Sequence, residues 1–245
     1  MEKYIVWPFS YRLLLLAAAF TLFSANIALA ADDQSIQQKE NLGPVVMLQN
    51  AVHRLLVNMD RDRVQIKKDG SHLMVLANDV LVHHFDIRAM SRWVLGKYWK
   101  EATSEQQQLF VQEFQTLVIR FYVSAMFDDP KLLDEILEMG DRIITYEPVA
   151  WDASTKKVTV KSIFAVPSGL EIPVNFKLYF SAKKRVWLIY DVNVDGISLI
   201  TNYRNSFSAE IRKDGLATML ERLKNKNSEQ LDAIAGKDRV KLTAK

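Results

Sequence analysis

The chain has 245 residues, 49% of them hydrophobic and 25% charged, with a formal net charge of +3 and no cysteine. That length and apolar content suffice for one domain with a sizeable core. The weak, dispersed positive charge gives no footprint for nucleic acid, and the lack of cysteine excludes a disulfide scaffold, so the fold must hold by packing alone.

Residues 1–30 read as a signal peptide. Lys3 and Arg12 precede the apolar run Leu13 to Phe23, and Ala28, Leu29 and Ala30 supply the small residues of a cleavage site after Ala30. The run is shorter than the roughly 20 apolar residues that span a bilayer. Cleavage removes Glu2, Lys3 and Arg12, taking one positive charge from +3 and leaving +2. An exported, soluble chain starting at Ala31 is expected, with a polar, flexible leader over 31–43.

A single domain is expected over 44–224. Pro44 suits a first helical turn, and Val45, Leu48, Val52, Leu55, Leu56 and Met59 recur at helical spacing. Lys67 to Ser71 ends that unit. A second helix carries Leu73, Leu76, Val80 and Leu81 toward His83 and His84, and Asp86 or a neighbour caps a third through Ile87, Met90, Val94 and Leu95, ended by Gly96. Thr103 and Gln106 form a capping box for the longest helix, whose stripe is Leu109, Phe110, Phe114, Leu117, Val118, Phe121, Ala125 and Met126. Asp128-Asp129-Pro130 stops it, and Leu132, Leu133, Ile136 and Leu137 suggest a short amphipathic insertion before Gly140.

From Ile143 the period turns from helical to alternating. Strands are expected over Ile143 to Val149, over Lys157 to Val166, through Ile172, Val174, Phe176, Leu178 and Phe180 on one face, and over Arg185 to Val194. Short turns, at Asp152 to Lys156, Pro167-Ser168-Gly169 and Ala182-Lys183-Lys184, make these a four-stranded antiparallel meander, and its apolar face needs a helical layer. The fold class is α+β. In the last strand Val186, Leu188, Tyr190 and Val192 are expected to continue the apolar face. Gly196 permits a sharp exit, Ile197 to Ile200 is an apolar plug, and Thr201 or Asn202 caps a helix through Tyr203, Phe207 and Ile211. Asp214-Gly215 breaks it before a last helix with Leu216, Met219, Leu220 and Leu223, and residues 225–245 read as a loose tail.

Chemistry-bearing motifs are sparse. There is no G-x-S-x-G, phosphate loop, G-x-G-x-x-G or cysteine nucleophile. His83 and His84 adjoin Asp86, but adjacent helical side chains diverge and no i, i+4 histidine pair exists, which argues against a metal site. An isomerase or dehydratase using Asp191 as base and Tyr190 as acid is a rival reading. Neighbours on a strand point to opposite faces and cannot share one cavity, so Asp191 is expected instead as a buried acceptor organising the turn from Gly196 to Thr201.

Two blocks carry a resemblance. Ser91-Arg92-Trp93-Val94-Leu95-Gly96-Lys97-Tyr98-Trp99-Lys100-Glu101-Ala102-Thr103, followed by Gln107, Phe110, Phe114, Leu117 and Tyr122, resembles one signature of the MlaC, or toluene-tolerance auxiliary, family. Trp187-Leu188-Ile189-Tyr190-Asp191-Val192, with Asp195 to Arg204 and Phe207, resembles the other, and the likeness spans roughly 45–224. The resemblance implies a non-enzymatic periplasmic phospholipid carrier, in which a curved antiparallel sheet packs on helices with a lipid cavity between. Its implied partners are the phospholipid, held as cargo in place of any cofactor, an inner-membrane ABC transporter complex with its lipid-binding subunit, and an outer-membrane lipoprotein–porin complex that it serves in maintaining outer-membrane lipid asymmetry. On that basis the cavity lining is expected from Phe110, Phe114, Leu117 and Phe121 facing Val160, Phe164, Val174, Phe176 and Leu178, with Tyr190 beside them. Tyr98 and Trp99 suit either a wet cavity mouth or an anchor for the Gly96 turn. Arg92, Lys97, Lys100 and Arg204 are expected as solvated charges. A protein-only adaptor with a filled core is the remaining alternative.

Overall fold

Alternation of apolar and polar residues builds one antiparallel sheet with strands in chain order: β1 (Ile144–Tyr146), β2 (Lys157–Ala165), β3 (Glu171–Ser181), β4 (Val186–Val194) and β5 (Ile197–Ser198). The computed structural model describes residues 43–128, 131–166 and 169–242. The expected signal peptide, the leader through residue 42, and the turn residues Asp129, Pro130, Pro167 and Ser168 lie outside these.

On β2 and β3 the expected parity holds: Val160, Phe164, Ile172, Val174, Phe176 and Leu178 are all buried, while Lys161, Glu171 and Pro173 are exposed on the other face. On β4 it breaks. Leu178 pairs with Ile189 and Lys177 with Asp191, so a bulge inserts Tyr190 between them. Upstream of the bulge the inward residues are therefore Trp187 and Ile189, and Val192 and Val194 resume that face beyond it. The expected series Val186, Leu188, Tyr190 and Val192 is corrected accordingly. Val186 is exposed, and the ring of Tyr190 lies with Tyr179 on the outward face.

The sheet has five strands, one more than expected. Asp195 (φ 48°) and Gly196 (φ 82°) form a two-residue reversal with both φ values positive, which folds the chain back so that Ile197 pairs with Val194 and Ser198 with Asn193. Part of the presumed plug is thus a short edge strand.

Helices cover the inward face. They are α1 (Pro44–Arg61), α2 (Arg63–Lys68), α3 (Ser71–His84), α4 (Ile87–Leu95), α5 (Tyr98–Glu101), α6 (Ser104–Asp128) and α7 (Leu132–Met139), then α8 (Leu199–Asp214) and α9 (Leu216–Leu242) after the sheet. Asp86 caps α4 by accepting from the Ala89 amide at 2.9 Å, and its second oxygen accepts from the Tyr179 hydroxyl. The Asp86 amide donates to the Ile189 carbonyl at 2.9 Å, so the start of α4 is bonded directly to β4. The Thr103–Gln106 capping box opens α6 as expected: the Gln106 amide donates to Thr103 Oγ1, and Gln106 Oε1 accepts from the Thr103 amide. Gly96 ends α4 at φ 57°, a conformation that favours glycine.

Two helix expectations are corrected. The N-cap of α8 is Ser198, whose hydroxyl oxygen accepts from the Thr201 amide at 3.2 Å, and neither Thr201 nor Asn202 takes that place. The last helix does not end near residue 224. α9 continues to Leu242, and Asn227 within it is buried. The spacing Met219, Leu223, Asn227 keeps one helical face turned inward, so a polar residue continues an apolar stripe.

Asp191 is the acceptor that this junction needs. Its carboxylate accepts from Ser198 Oγ at 2.8 Å, from the Ile200 amide at 3.2 Å and from Lys177 Nζ at 3.0 Å. Replacing Asp191 by alanine strands a buried amide and hydroxyl, and is expected to cost about 2 to 3 kcal/mol. Ser198→Ala, which removes the cap and the hydroxyl donated to Asp191 but keeps the Ile200 and Lys177 bonds, should cost about 1 kcal/mol. Urea unfolding of both variants checks the ranking; equal losses would show that Asp191 acts only through Ser198.

Candidate functional site

The inward faces of the sheet and of the helical layer define the candidate site. Val160, Phe164, Val174, Phe176 and Leu178 form a continuous apolar floor. The alternation of β2 and β3 turns all five the same way, in register: Val160 opposes Phe176, and Phe164 opposes Ile172. Trp187, Ile189, Val192 and Val194 extend this floor on β4.

Above it, the stripe of α6 meets aromatic rings from α8. Phe110 and Phe114 stack at 5.7 Å, Phe110 meets Phe207 edge-on at 5.4 Å, and Phe114 meets Tyr203 edge-on at 5.5 Å. Edge-to-face pairs of this kind add to simple area burial and hold the two helices in antiparallel register. Phe110 and Phe114 are fully buried, whereas Leu117 and Phe121, further along the same stripe, are only partly covered. The expected list therefore divides into sealed members at the start of α6 and incompletely covered ones beyond.

Tyr203 marks the same transition. It sits deep among the helices, and burial pushes its phenol up to about 12. Yet part of its surface is not covered by protein atoms. Its ring is held between Phe114, met edge-on at 5.5 Å, and Phe207, stacked at 5.9 Å. Arg120, buried on α6, lies within electrostatic reach of that phenol.

Tyr98 and Trp99 are buried in the short helix α5. Lys97 lies over the Tyr98 ring at 4.9 Å and Arg88 over Trp99 at 5.3 Å, while Gln107 Nε2 donates to the Trp99 carbonyl at 2.8 Å. These contacts tie the Gly96 turn to α6. Arg204 donates through Nε to the Trp93 carbonyl at 2.6 Å, and Arg92, Lys97 and Lys100 are exposed.

Tyr190 is the expected site residue that the structure moves elsewhere. Its ring packs edge-on against half-exposed Trp93 at 5.2 Å and lies under Lys157 at 5.7 Å, on the outward face. The β4 bulge also puts Asp191 on that face, opposite Lys177. Strand alternation thus does not separate Tyr190 from Asp191, contrary to expectation. What separates them is bonding: both Asp191 oxygens are committed to Ser198, the Ile200 amide and Lys177. Among the described residues no three metal-ligating side chains gather, and no helix is long and apolar enough to cross a membrane.

Sequence reasoning missed Arg120, Asn227, Tyr203 and the pair Arg54 and His84. The continuing i, i+4 period through Asn227 was the available signal for one of them. Arg54 Nε is buried without a hydrogen-bond partner, and burial lowers the pKa of this arginine. His84 is pushed down to about 4, chiefly by burial and then by the positive charges of Arg54 and His83.

Comparison with known proteins followed the same chain segment. The model of the MlaC protein family matches residues 49–225. Among curated relatives, the intermembrane phospholipid transport system binding protein MlaC of Haemophilus influenzae is 21% identical over 192 residues, covering 77% of this chain and 84% of that protein. The toluene tolerance protein Ttg2D of Pseudomonas putida is 25% identical over 173 residues, covering 70% of this chain and 74% of its own. A solved phospholipid-binding protein from Ralstonia solanacearum, in complex with a phospholipid, shares the fold with a TM-score of 0.61 at 23% identity, over 82% of this chain and 99% of that one.

The lowered His84 pKa carries a prediction whose sign follows from linkage. Between the ordinary value of 6.5 and about 4, the unfolded chain binds the proton and the folded chain does not. Stability is therefore full above pH 6.5 and falls as the pH drops toward 4, by on the order of 2 kcal/mol from this residue. As the pH falls across that range the denaturation midpoint of wild type should drop more than that of His84→Gln, and parallel curves would exclude His84 as the source.

Proposed function

We propose that this chain, which belongs to the MlaC family, is a periplasmic phospholipid carrier without catalytic activity. Its cargo is held between the sheet floor and the helical layer, and it shuttles between an inner-membrane ABC transporter complex with its lipid-binding subunit and an outer-membrane lipoprotein–porin complex. The observation that carries this reading is the family match over residues 49–225, which takes in both the floor strands and the helices that roof them.

Physical chemistry sets what such a carrier must do. At about 0.8 kcal/mol per methylene, two acyl chains with roughly 30 methylenes cost on the order of 24 kcal/mol to expose to water. Only an enclosure that rehouses nearly all of them competes with a membrane. Val160, Phe164, Val174, Phe176 and Leu178 offer an apolar floor for the chains, and Leu117 and Phe121 offer roof surface that the protein itself leaves partly uncovered. Phe110 and Phe114 brace that roof through Phe207 and Tyr203. Tyr98 and Trp99 set the start of α6 through the Gln107 contact. No bond is made or broken in this task, and the committed hydrogen bonds of Asp191 suit a structural carboxylate. Export by the signal peptide over residues 1–30, with cleavage after Ala30, delivers the chain to the compartment between the two membranes.

Organic extraction of the purified protein followed by mass spectrometry should release about one phospholipid per chain. Protein that carries none, and that takes no labelled phospholipid from vesicles, is not a carrier. Phe176→Trp separates a container from a filled core. In a container it lowers lipid load with little loss of stability, whereas overpacking a filled core costs roughly 1 to 3 kcal/mol.

A further inference from the structure

Arg120 is a cation held in the interior, and among the described residues no anion pairs with it. It is 6% exposed, and its hydrogen-bond partner is neutral: Nε donates to Asn227 Oδ1 at 3.3 Å. Asn227 turns its Nδ2 to Glu113, donating to the main-chain oxygen at 2.9 Å and to Oε2 at 2.6 Å. The nearest described carboxylate in this chain of contacts is thus spent on the amide, and among the described residues none pairs with the guanidinium. Burial pulls the Arg120 pKa down, as expected of a charge whose hydration has been removed without replacement.

Such an arrangement is costly. An unpaired buried charge loses several kcal/mol of solvation, and proteins ordinarily repay this with a counter-charge or by placing the group where an anion arrives. The Nη nitrogens of Arg120 make no protein hydrogen bond among the described residues, and they are absent from the polar atoms sealed in the interior without a partner. The Tyr203 hydroxyl shares both properties. Two donors, one of them charged and within electrostatic reach of the other, are therefore neither bonded among the described residues nor fully sealed. Leu117 and Phe121, the incompletely covered members of the α6 stripe, flank Arg120 in sequence.

We infer that Arg120, held in place by Asn227 and assisted by the Tyr203 hydroxyl, binds the phosphodiester oxyanion of the lipid cargo. This rests on the carrier reading above. A guanidinium matches the paired oxygens of a phosphodiester and forms charge-assisted hydrogen bonds to it. The phosphate is common to glycerophospholipids, so the contact does not choose among headgroups: the substituent beyond it stays in solvent, while the acyl chains run along Leu117 and Phe121. Selection acts between lipids that carry the oxyanion and lipids that lack it.

The test uses lipid-free protein and vesicles of phosphatidylcholine carrying either labelled phosphatidylethanolamine or labelled diacylglycerol with the same acyl chains. Wild type should take up the phospholipid at least about tenfold better than the diacylglycerol, as expected for a hydrogen bond to a charged group. Arg120→Gln should bring that ratio close to one by losing more phospholipid uptake than diacylglycerol uptake. Arg120→Lys, which keeps the charge, should retain part of the preference. Equal uptake of the two lipids by wild type overturns the assignment without any variant, so a failure of Arg120→Gln to fold does not shield it. An unchanged ratio in Arg120→Gln overturns it as well. Inorganic phosphate added alone in millimolar excess should leave bound phospholipid in place; displacement would make this a free-phosphate site and overturn the lipid assignment. Uptake of neither lipid by wild type defeats the carrier reading itself, an outcome distinct from the others.

Discussion

The carboxylate of Asp191 is where sheet and helices are joined. It takes a salt bridge from Lys177 on β3, a hydroxyl from Ser198 at the edge strand and an amide from Ile200 in the first turn of α8. One side chain on β4 thereby sets how the chain leaves the sheet. The direction of α8 follows, and with it the position of Tyr203 and Phe207 against Phe114 and Phe110. The aromatic contacts between α6 and α8 are long-range in sequence, and no local preference could align them. A buried anion with its acceptor capacity used to this extent is expensive to assemble and harder still to disturb, because removing it strands its donors in the interior.

Apolar and polar groups divide the labour. The floor of the sheet is a uniform apolar surface produced by alternation, and it imposes no orientation on whatever lies against it. Orientation has to come from polar groups placed among apolar ones, and the interior holds few of them. Asp191 is saturated by its own protein. Arg120 and Tyr203 are not, and on our inference this contrast between a satisfied and an unsatisfied buried polar group is what assigns them to the cargo. The charge balance of the molecule supports the same division: exposed lysines such as Lys157 and Lys161 occupy the outward face of the sheet, where they interact with Tyr190 and Glu147 and leave the interior alone.

Much of the fold was legible in the residues. The capping box at Thr103, the cap at Asp86 and the turn at Gly96 each depend on a few neighbouring groups, and local chemistry sufficed to place them. The strands β2 and β3 were legible because their period of two runs without interruption. The reading failed at β4, where one inserted residue reverses which side chains face inward, and a bulge has no local signature when both faces are apolar. It failed again at α9, where a run of polar residues reads as the end of order. Asn227 is polar and buried because its partners, Arg120 and Glu113, lie more than a hundred residues earlier on another helix.

The amino-acid sequence by itself determined most of the secondary structure, the α+β class, the one-sided apolar sheet and, through two motif blocks, the MlaC family. Periodicity, capping and turn chemistry act over a few residues, and a chain carries them wherever it folds. Only the tertiary structure decided which side chains share a space. It moved Tyr190 to the outward face, turned Trp187 and Ile189 inward, and brought Arg120, Tyr203 and Asn227 together from three helices. The reason is that burial and electrostatic environment belong to the assembled interior, where a group's neighbours, and not its own chemistry, determine what it has left to bind.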